Sequence, residues 1–452
     1  MKFESINPFT GGLLAKFQED SDAVLQNKIE NAHVAFNQWR SEDLKARISY
    51  VLKVGELLKR EINELALLIT NEMGKPIKES MAEINKCAWL CNYYAENAED
   101  FLRDEIIETD ALKSYVKNDP LGVILGIMPW NFPFWQVFRF VIPALTVGNT
   151  VILKHAPNVF GCAKAIEEIF IKAGIYEGVF QSVYISVEKS EQIISHPYIK
   201  AVSLTGSERA GSAVAALCGK YLKKTVLELG GNNAFIVLQD ADIDRTVHLA
   251  ITARMLNAGQ SCIAAKRFLI DESIYDAFTT KFIAEIKKLK SGNPSDETVQ
   301  VGPLARIDLA DNLKRQIDES VRLGAVLKLG GKQNNCFVEP TVLENVQPGM
   351  PAFDEETFGP LVSFIKFKNI EEAIQLSEMS KYGLGVTICT SDITKAESLF
   401  VKFSDGAFFI NDFVKSDPRL PFGGTKNSGY GRELGKDGIM EFVNRKTVYI
   451  KE

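Results

Sequence analysis

The chain has 452 residues, of which 46% are hydrophobic and 24% charged, a composition typical of a folded protein of two or three domains, which excludes disorder as its main character. The net charge of −6 at pH 7, with no basic block interleaved with aromatic residues, excludes nucleic acid as an expected partner. The longest apolar stretch (132–147) is too short to span a bilayer, so we expect no membrane segment. The N-terminus has no apolar signal segment, and the scattered cysteines are typical of reduced thiols, so we expect a cytoplasmic protein.

Residues 22–108 are predicted to be helical, because apolar residues recur at intervals of three and four. A break is expected at Gly74-Lys75-Pro76. Cys87 and Cys91 lie one helical turn apart, but no second Cys/His pair has zinc spacing. We interpret these two cysteines as helix packing and predict no metal site.

From about Leu121, short β-branched runs alternate with helical patterns, in the order GVILGIM, TVILK, SVYIS and AVSLTG. The helical segment GCAKAIEEIFIKAG is expected to end at Gly174. A second such block follows Glu228, with AFIVL, RFLI, LVSFIKF, GVTICT and AFFIND. This alternation predicts an α/β fold of two lobes, each built from βαβ units around a mostly parallel sheet, with Glu228 near their junction. The C-terminal TVYIKE is predicted to be a strand, which must pair with another strand of the chain or of a partner subunit.

Candidate reactive groups follow these strands. Cys262 lies on a small-residue turn and Glu228 ends a strand-like run. A cysteine thiolate can attack a carbonyl to form a thioester, and a nearby carboxylate can activate the water that hydrolyses it. Asn131, in a loop between two prolines, offers an amide that can hold an oxyanion. Each residue alone also has an ordinary interpretation: a buried thiol, a surface acid and a turn asparagine.

Further motifs suggest a nucleotide site. Lys154 ends the strand TVILK, although lysines that cap strands are common. Gly206 lies between a strand and a helix, where backbone N–H groups can face a pyrophosphate, but the motif is not GxGxxG. Two further loops, 356–360 and 421–424, carry an acid, aromatic residues and glycines.

The motifs Pro-Trp-Asn-Phe-Pro, strand-Lys, Thr-Gly-Ser, Glu-Leu-Gly-Gly, Gly-Gln-x-Cys, Glu-x-Phe-Gly-Pro and Pro-Phe-Gly-Gly occur in this order and resemble the aldehyde dehydrogenase superfamily. The resemblance covers nearly the whole chain. It implies oxidation of an aldehyde to a carboxylic acid with NAD or NADP, two Rossmann-like α/β lobes and a small β oligomerisation element in a homodimer or homotetramer. The implied domains are an NAD(P)-binding domain (1–110 and 126–229), a catalytic domain (230–430) and the oligomerisation element (111–125 and 431–452).

The resemblance also implies roles for individual residues. Cys262 is the expected nucleophile, Glu228 the general base and Asn131 the oxyanion donor. The implied cofactor contacts are Trp130, Lys154, Ala156, Pro157, Gly206, Ser207, Gly211, Leu229, Glu356 and Phe358. Pro157 stands where NAD-preferring members often carry a glutamate that bonds the ribose 2′-hydroxyl. We therefore expect NADP to be accepted beside NAD, and leave open which of the two is preferred.

Two positions bear on the substrate. Arg139 and Ser416 stand where the family often has aromatic or apolar residues, and a cation with a hydroxyl suits an aldehyde that carries a distal carboxylate. Together with residues 154–158 and 416–422, they resemble the succinate-semialdehyde dehydrogenases, with Arg139, Trp135, Ser416 and Phe422 as implied substrate contacts. The ordinary interpretation of Arg139 is a helix arginine paired with a surface acid.

Three alternatives remain at this point. One is a broad-specificity or glutarate-semialdehyde-type aldehyde dehydrogenase. Another is an acylating enzyme that passes the acyl group to coenzyme A, against which Glu228 argues because it would activate water. The last is a non-catalytic structural homologue, from which we would expect the cysteine, the acid or the cofactor loops to be missing.

Overall fold

The computed structural model describes residues 2–452. The strands are β1 (Lys2–Ile6), β2 (Leu13–Gln18), β3 (Glu105–Ile106), β4 (Lys113–Pro120), β5 (Val123–Met128), β6 (Thr150–His155), β7 (Phe180–Ser182), β8 (Ile199–Thr205), β9 (Lys224–Glu228), β10 (Asn233–Val237), β11 (Ala265–Asp271), β12 (Val326–Leu329), β13 (Gln333–Asn334), β14 (Phe337–Val338), β15 (Thr341–Glu344), β16 (Leu361–Phe367), β17 (Tyr382–Gly383), β18 (Val386–Cys389), β19 (Phe408–Ile410), β20 (Thr425–Lys426), β21 (Gly429–Tyr430) and β22 (Val443–Ile450).

The helices are α1 (Asp22–Trp39), α2 (Leu44–Arg60), α3 (Ile62–Met73), α4 (Ile77–Phe101), α5 (Trp135–Val147), α6 (Phe160–Lys172), α7 (Ser190–Ser195), α8 (Glu208–Lys220), α9 (Ile243–Met255), α10 (Tyr275–Ile286), α11 (Ile307–Arg322), α12 (Pro351–Asp354), α13 (Ile370–Glu378), α14 (Ile393–Ser398) and α15 (Gly435–Met440). Short 3₁₀ turns cover Pro157–Val159, Val187–Lys189, Leu256–Gly259 and Phe400–Lys402.

The first lobe is built on a sheet with the order β21-β9-β8-β5-β6-β7, in which β9 to β7 are parallel. The predicted helical region forms α1 to α4, and its break falls at Gly74, whose φ of 78° ends α3. Its predicted end at residue 108 is wrong, because α4 ends at Phe101 and Glu105–Ile106 form β3. Helix α6 ends before Gly174, which has a φ of 86°. The expected strand SVYIS is wrong beyond its first residue, because β7 ends at Ser182 and the chain then turns away from the sheet edge.

The second lobe has a sheet with the order β12-β15-β16-β11-β10-β18-β19, parallel except for the β12–β15 pair. Strand β9 ends in the first sheet at Glu228, and β10 begins in the second sheet at Asn233. Glu228 therefore lies where the chain passes between the two sheets, and the prediction of two parallel α/β lobes with this residue at their junction is confirmed.

A third sheet, β22-β4-β3, carries the C-terminal strand. Strand β22 pairs antiparallel with β4 of the same chain, from Val443 opposite Pro120 to Ile450 opposite Lys113. The chain itself thus supplies the partner strand that the sequence left open. The β1–β2 hairpin was not anticipated, and the predicted domain boundaries remain predictions.

Cys87 and Cys91 are fully buried in α4, and the Cys91 side chain faces Gly55 of α2. Their interpretation as helix packing is confirmed by this contact. Within residues 2–452, none of the helices combines the length and apolarity needed to cross a bilayer.

Candidate active site

The turn that carries Cys262 has an unusual backbone. After α9 ends, Asn257, Ala258 and Gly259 all have positive φ, at 55°, 51° and 76°. Such angles strain residues other than glycine and persist only where the surroundings impose them. The Asn257 N–H donates to Glu79 Oε2 at 2.6 Å, and Asn257 Nδ2 donates to the Asn131 carbonyl at 2.7 Å. These buried contacts fix the approach to Cys262.

Glu228 meets the cysteine turn through the glycine pair that follows it. A β-carbon at Gly231 would lie 2.5 Å from the Cys262 carbonyl oxygen, so only glycine permits this contact. Both carboxyl oxygens of Glu228 are buried without a hydrogen-bond partner. Burial, reinforced by the charge of Glu433, raises the pKa of Glu228 well above its usual value.

Asn131 is tied to the same turn. It is 4% exposed, and its Nδ2 donates to the Gln260 carbonyl at 3.1 Å, two residues before Cys262. This bond uses one of the two amide hydrogens, and the other is free for an acceptor beside the cysteine. The structure therefore brings the three predicted catalytic residues together around one turn.

Burial raises the pKa of the Cys262 thiol to about 11, while the charges of Arg139 and Lys266 act in the opposite direction. Lys266, which sequence reasoning missed, is fully buried and donates to the carbonyls of Ser261 at 3.0 Å and Cys262 at 2.8 Å. The nucleophile thus has two cations nearby that favour its thiolate.

The carboxyl ends of β5, β6, β8 and β9 form the crevice where the predicted cofactor residues lie, and parallel α/β sheets bind ligands at this edge. Ser207 caps α8 by accepting from the Ala210 N–H at 3.3 Å. Gly211 packs on Leu229, where a β-carbon would lie 2.5 Å from the leucine side chain. The crevice also holds Lys154, Ala156, Pro157 and Gly206.

Lys154 is 7% exposed and, among residues 2–452, forms no ion pair. Burial lowers the pKa of Lys154, and the charge of Glu188 opposes that shift. A buried ammonium without a bonded acid is unfavourable unless a ligand supplies acceptors. A ribose or phosphate of a dinucleotide supplies such acceptors, so this donor fits the nucleotide cofactor that the sequence predicts.

The second lobe closes this crevice with residues of the loop before β16. Glu356 Oε1 accepts from the Gly231 N–H at 2.9 Å, and Phe358 makes an edge contact with Trp130, with ring centroids 5.7 Å apart. Lys266 Nζ lies 3.5 Å from Glu356 Oε1. The cofactor residues of the two lobes therefore face each other beside the cysteine turn.

A cavity of about 410 Å³ has Cys262 in its wall. This volume suits a small-molecule site. The four predicted substrate contacts line it, and so do residues that sequence reasoning missed. The wall includes Lys78, Glu79, Lys86, Phe132, Trp135, Arg139, Phe413, Lys415, Ser416 and Phe422.

Arg139 is paired with an acid of the same chain. Its Nε contacts the buried carboxylate of Glu433, its Nη2 donates to Thr205 at 3.1 Å, and its guanidinium lies 4.9 Å from the Phe422 ring centroid. The paired acid is buried, so the interpretation of Arg139 as a helix arginine paired with a surface acid is wrong, while its role as a substrate contact stays a prediction. No sequence motif indicates this pair, because the two residues are separated in the sequence by part of the first lobe and the whole second lobe.

Lys86 was also missed. It lies on the face of α4 that carries Glu79 and Glu83, and its Nζ donates to Ser416 Oγ at 2.9 Å. The signal in the sequence was only the helical spacing of these charged residues, and other polar and charged residues of α4 mask it.

Comparison with known proteins agrees with this geometry. The model of the aldehyde dehydrogenase family matches residues 1–448. A Synechocystis protein named "Probable succinate-semialdehyde dehydrogenase (NADP(+))" is 44% identical over 453 residues, covering 100% of both chains. The Escherichia coli succinate semialdehyde dehydrogenase (NAD(P)+) Sad is 43% identical, covering 98% of this chain and 97% of its own. The crystal structure of a Streptococcus pyogenes succinic semialdehyde dehydrogenase in complex with NADP+ has a TM-score of 0.97 and 37% identity, with both chains fully covered.

Proposed function

This chain belongs to the aldehyde dehydrogenase family, and we propose that it oxidises succinate semialdehyde to succinate with NADP, and also with NAD. One observation carries the proposal. Cys262 lies in the wall of a cavity that also carries cations and a hydroxyl suited to a carboxylate, and Gly231, three residues after Glu228, packs on the Cys262 carbonyl. The names of the relatives in Synechocystis and Escherichia coli support the same substrate class.

The chemistry begins at the sulfur. The Cys262 thiolate adds to the aldehyde carbon, and the oxyanion accepts hydrogen bonds from Asn131 Nδ2 and the Cys262 backbone N–H. Each such donor is typically worth about 10²–10³ in rate. A nicotinamide dinucleotide, when bound in the crevice, supplies the acceptor for the hydride that leaves this carbon.

Hydrolysis then depends on Glu228. Its carboxylate takes a proton from a water, the resulting hydroxide adds to the thioester carbon, and the carbon–sulfur bond breaks to release the acid and the Cys262 thiolate. The proton held by Glu228 passes to solvent before the next turnover. Because both carboxyl oxygens lack a protein partner, Glu228 is free to bond this water.

We propose that Arg139, Trp135, Ser416 and Phe422 enclose the carbon chain of the substrate, since all four line the cavity. For the cofactor, Pro157 leaves no carboxylate at the position that would repel a 2′-phosphate. The ammonium of Lys154, without an ion pair, can donate to the ribose or its phosphate. Both features favour acceptance of NADP.

We place the enzyme in the cytoplasm as a homodimer or homotetramer. All seven cysteines are free thiols, as expected in a reducing compartment. Strand β22 forms the edge of its sheet and exposes Tyr449 and Ile450, which a second copy can cover.

The proposal is tested by following the absorbance of reduced nicotinamide with succinate semialdehyde, glutarate semialdehyde and pentanal, each with NADP and NAD. We expect succinate semialdehyde to give the highest kcat/KM, ahead of glutarate semialdehyde by about 10- to 200-fold for the extra methylene. Equal kcat/KM for all three aldehydes would instead establish the broad-specificity alternative.

A further inference from the structure

Two lysines in the cavity wall of the proposed enzyme, Lys78 and Lys86, form no ion pair among residues 2–452, and of these only Lys86 is shielded from solvent, since Lys78 is exposed. Arg139 forms an ion pair with Glu433, and the exposed Lys415 forms one with Asp412. Among residues 2–452, Lys86 forms no ion pair, although it is partly buried.

The acids nearest to Lys86 are occupied elsewhere. Glu83 accepts the backbone N–H groups of Phe134 and Trp135 at 2.8 and 2.9 Å and also pairs with Lys75. Asp417 forms a bidentate pair with Arg419, with both nitrogen–oxygen distances below 3.0 Å. The Lys86 ammonium is therefore left with charge to offer a ligand, and without one its burial is unfavourable.

Ser416 is arranged to share that ligand. Its Oγ accepts from Lys86 Nζ at 2.9 Å and from Trp135 Nε1 at 3.0 Å. With its oxygen occupied by two donors, the hydroxyl has its own proton left to donate. The Lys86 ammonium lies 4.2 Å from the Trp135 ring centroid, a cation–π contact that holds it against the cavity wall.

We propose that Lys86 and Ser416 bind the distal carboxylate of the substrate, Lys86 as the charge partner and Ser416 as a hydrogen-bond donor. Arg139, whose charge Glu433 balances, then acts mainly on the reacting end beside Cys262. This inference rests on the proposed function, because it presupposes a carboxylated aldehyde. It assigns the selection of the carboxylate to helix α4.

The test is Lys86→Met, assayed with succinate semialdehyde and with pentanal, which has similar length and no carboxylate. We expect KM for succinate semialdehyde to rise about 30- to 1,000-fold, as for removal of one partner of a desolvated charge pair. The kcat/KM for pentanal should stay within about threefold of the wild type, which a merely structural role for Lys86 would not allow.

Lys415→Met is the matched control, because it removes an exposed lysine from the same cavity. We expect it to change KM for succinate semialdehyde by less than about threefold, since its charge is already paired and solvated. Ser416→Ala keeps the ammonium and should raise the same KM about tenfold, and it provides a test even if Lys86→Met fails to fold.

The inference is overturned if Lys86→Met keeps the wild-type KM for succinate semialdehyde while pentanal remains a poor substrate, or if the Lys415 variant shows the larger effect. If the wild type itself does not distinguish succinate semialdehyde from pentanal, the proposed function fails rather than the assignment of Lys86 alone.

Discussion

Gly231 and Cys262 are in such close contact that a methyl group on Gly231 would lie 2.5 Å from the Cys262 carbonyl oxygen. Strand β9 ends at the acid, Glu228, and Gly231 lies in the turn that follows it. The contact joins this turn to the turn before β11, on which the Cys262 thiol lies. The distance between the nucleophile and the base therefore depends on a residue that has no side chain.

Gly231→Ala is expected to displace the Cys262 turn and to lower kcat/KM about 100-fold, because a misplacement near 1 Å has an effect of this size. Gly219→Ala is the control, since a β-carbon there meets nothing within 4 Å. It should leave activity unchanged and stabilise α8 by about 0.5–1 kcal/mol. Steady-state kinetics and thermal unfolding of both variants check this, and full activity in Gly231→Ala would contradict it.

Glu228→Gln should lower kcat by about 10²–10⁴ and leave a burst of reduced nicotinamide, because the thioester forms but is not hydrolysed. Glu228→Gln should also become more stable than the wild type as pH rises. Burial raises the pKa of Glu228 in the folded state, so the wild type loses stability with increasing pH above the unfolded value near 4.5. Urea unfolding of both proteins at pH 5 and pH 8 measures this, and an unchanged difference in stability between them would contradict a raised pKa of Glu228.

The pH dependence should differ between charged and uncharged aldehydes. Burial lowers the pKa of Lys86 to about 8 and raises that of Cys262 to about 11. The groups that act on Lys86 are Cys87, Arg139, Asp417 and Glu83, and those that act on Cys262 are Arg139, Lys266, Glu356 and Glu228.

Between these two pKa values the thiolate fraction grows while the Lys86 charge is lost. For pentanal, kcat/KM should therefore keep rising with pH, whereas for succinate semialdehyde the rise should flatten above about pH 8 as KM increases. Parallel profiles for the two substrates would show that the Lys86 ammonium does not contribute to binding.

Arg139→Met should destabilise the fold by about 3–5 kcal/mol, because it leaves the Glu433 carboxylate buried and unpaired. It should impair oxidation of succinate semialdehyde and pentanal alike, in contrast to Lys86→Met. The double variant Arg139→Met/Glu433→Gln should regain most of the stability. Denaturant unfolding of the single and double variants tests this, and additive losses would show that the pair is not coupled.

Pro157→Glu should raise KM for NADP at least about tenfold and change KM for NAD little, because a carboxylate near Lys154 would repel a 2′-phosphate. Pro157→Gln, of similar size and neutral, is the control. Equal effects of the two variants on KM for NADP would assign the change to the lost proline and not to charge.

The sequence predicted the elements that repeat a simple pattern. Short β-branched runs followed by turns predicted β5, β6 and β8. The motifs that follow these strands lie close together because parallel strands present their carboxyl ends at one edge of the sheet. The terminal β22 was also recognisable by its alternation. Strands such as β12 to β15 are too short, and some too exposed, to give a hydrophobic period.

The parts of the site that sequence reasoning missed depend on contacts between distant segments. Glu433 contacts Arg139 although the second lobe separates them in the sequence. Lys86 contacts Ser416 from a helix that precedes every motif. Secondary-structure propensity and local residue spacing carry no information on such contacts. The partners of the charged residues in the cavity therefore follow only from the three-dimensional structure.

The most direct test of the shared site is a mass measurement on Glu228→Gln mixed with succinate semialdehyde and NADP. We predict one succinyl group per chain, mapped by peptide analysis to Cys262 and absent from Cys262→Ser, because Glu228 and the Cys262 sulfur act at the same carbon. An unmodified Cys262, or rapid turnover without any acyl-enzyme, would contradict the account.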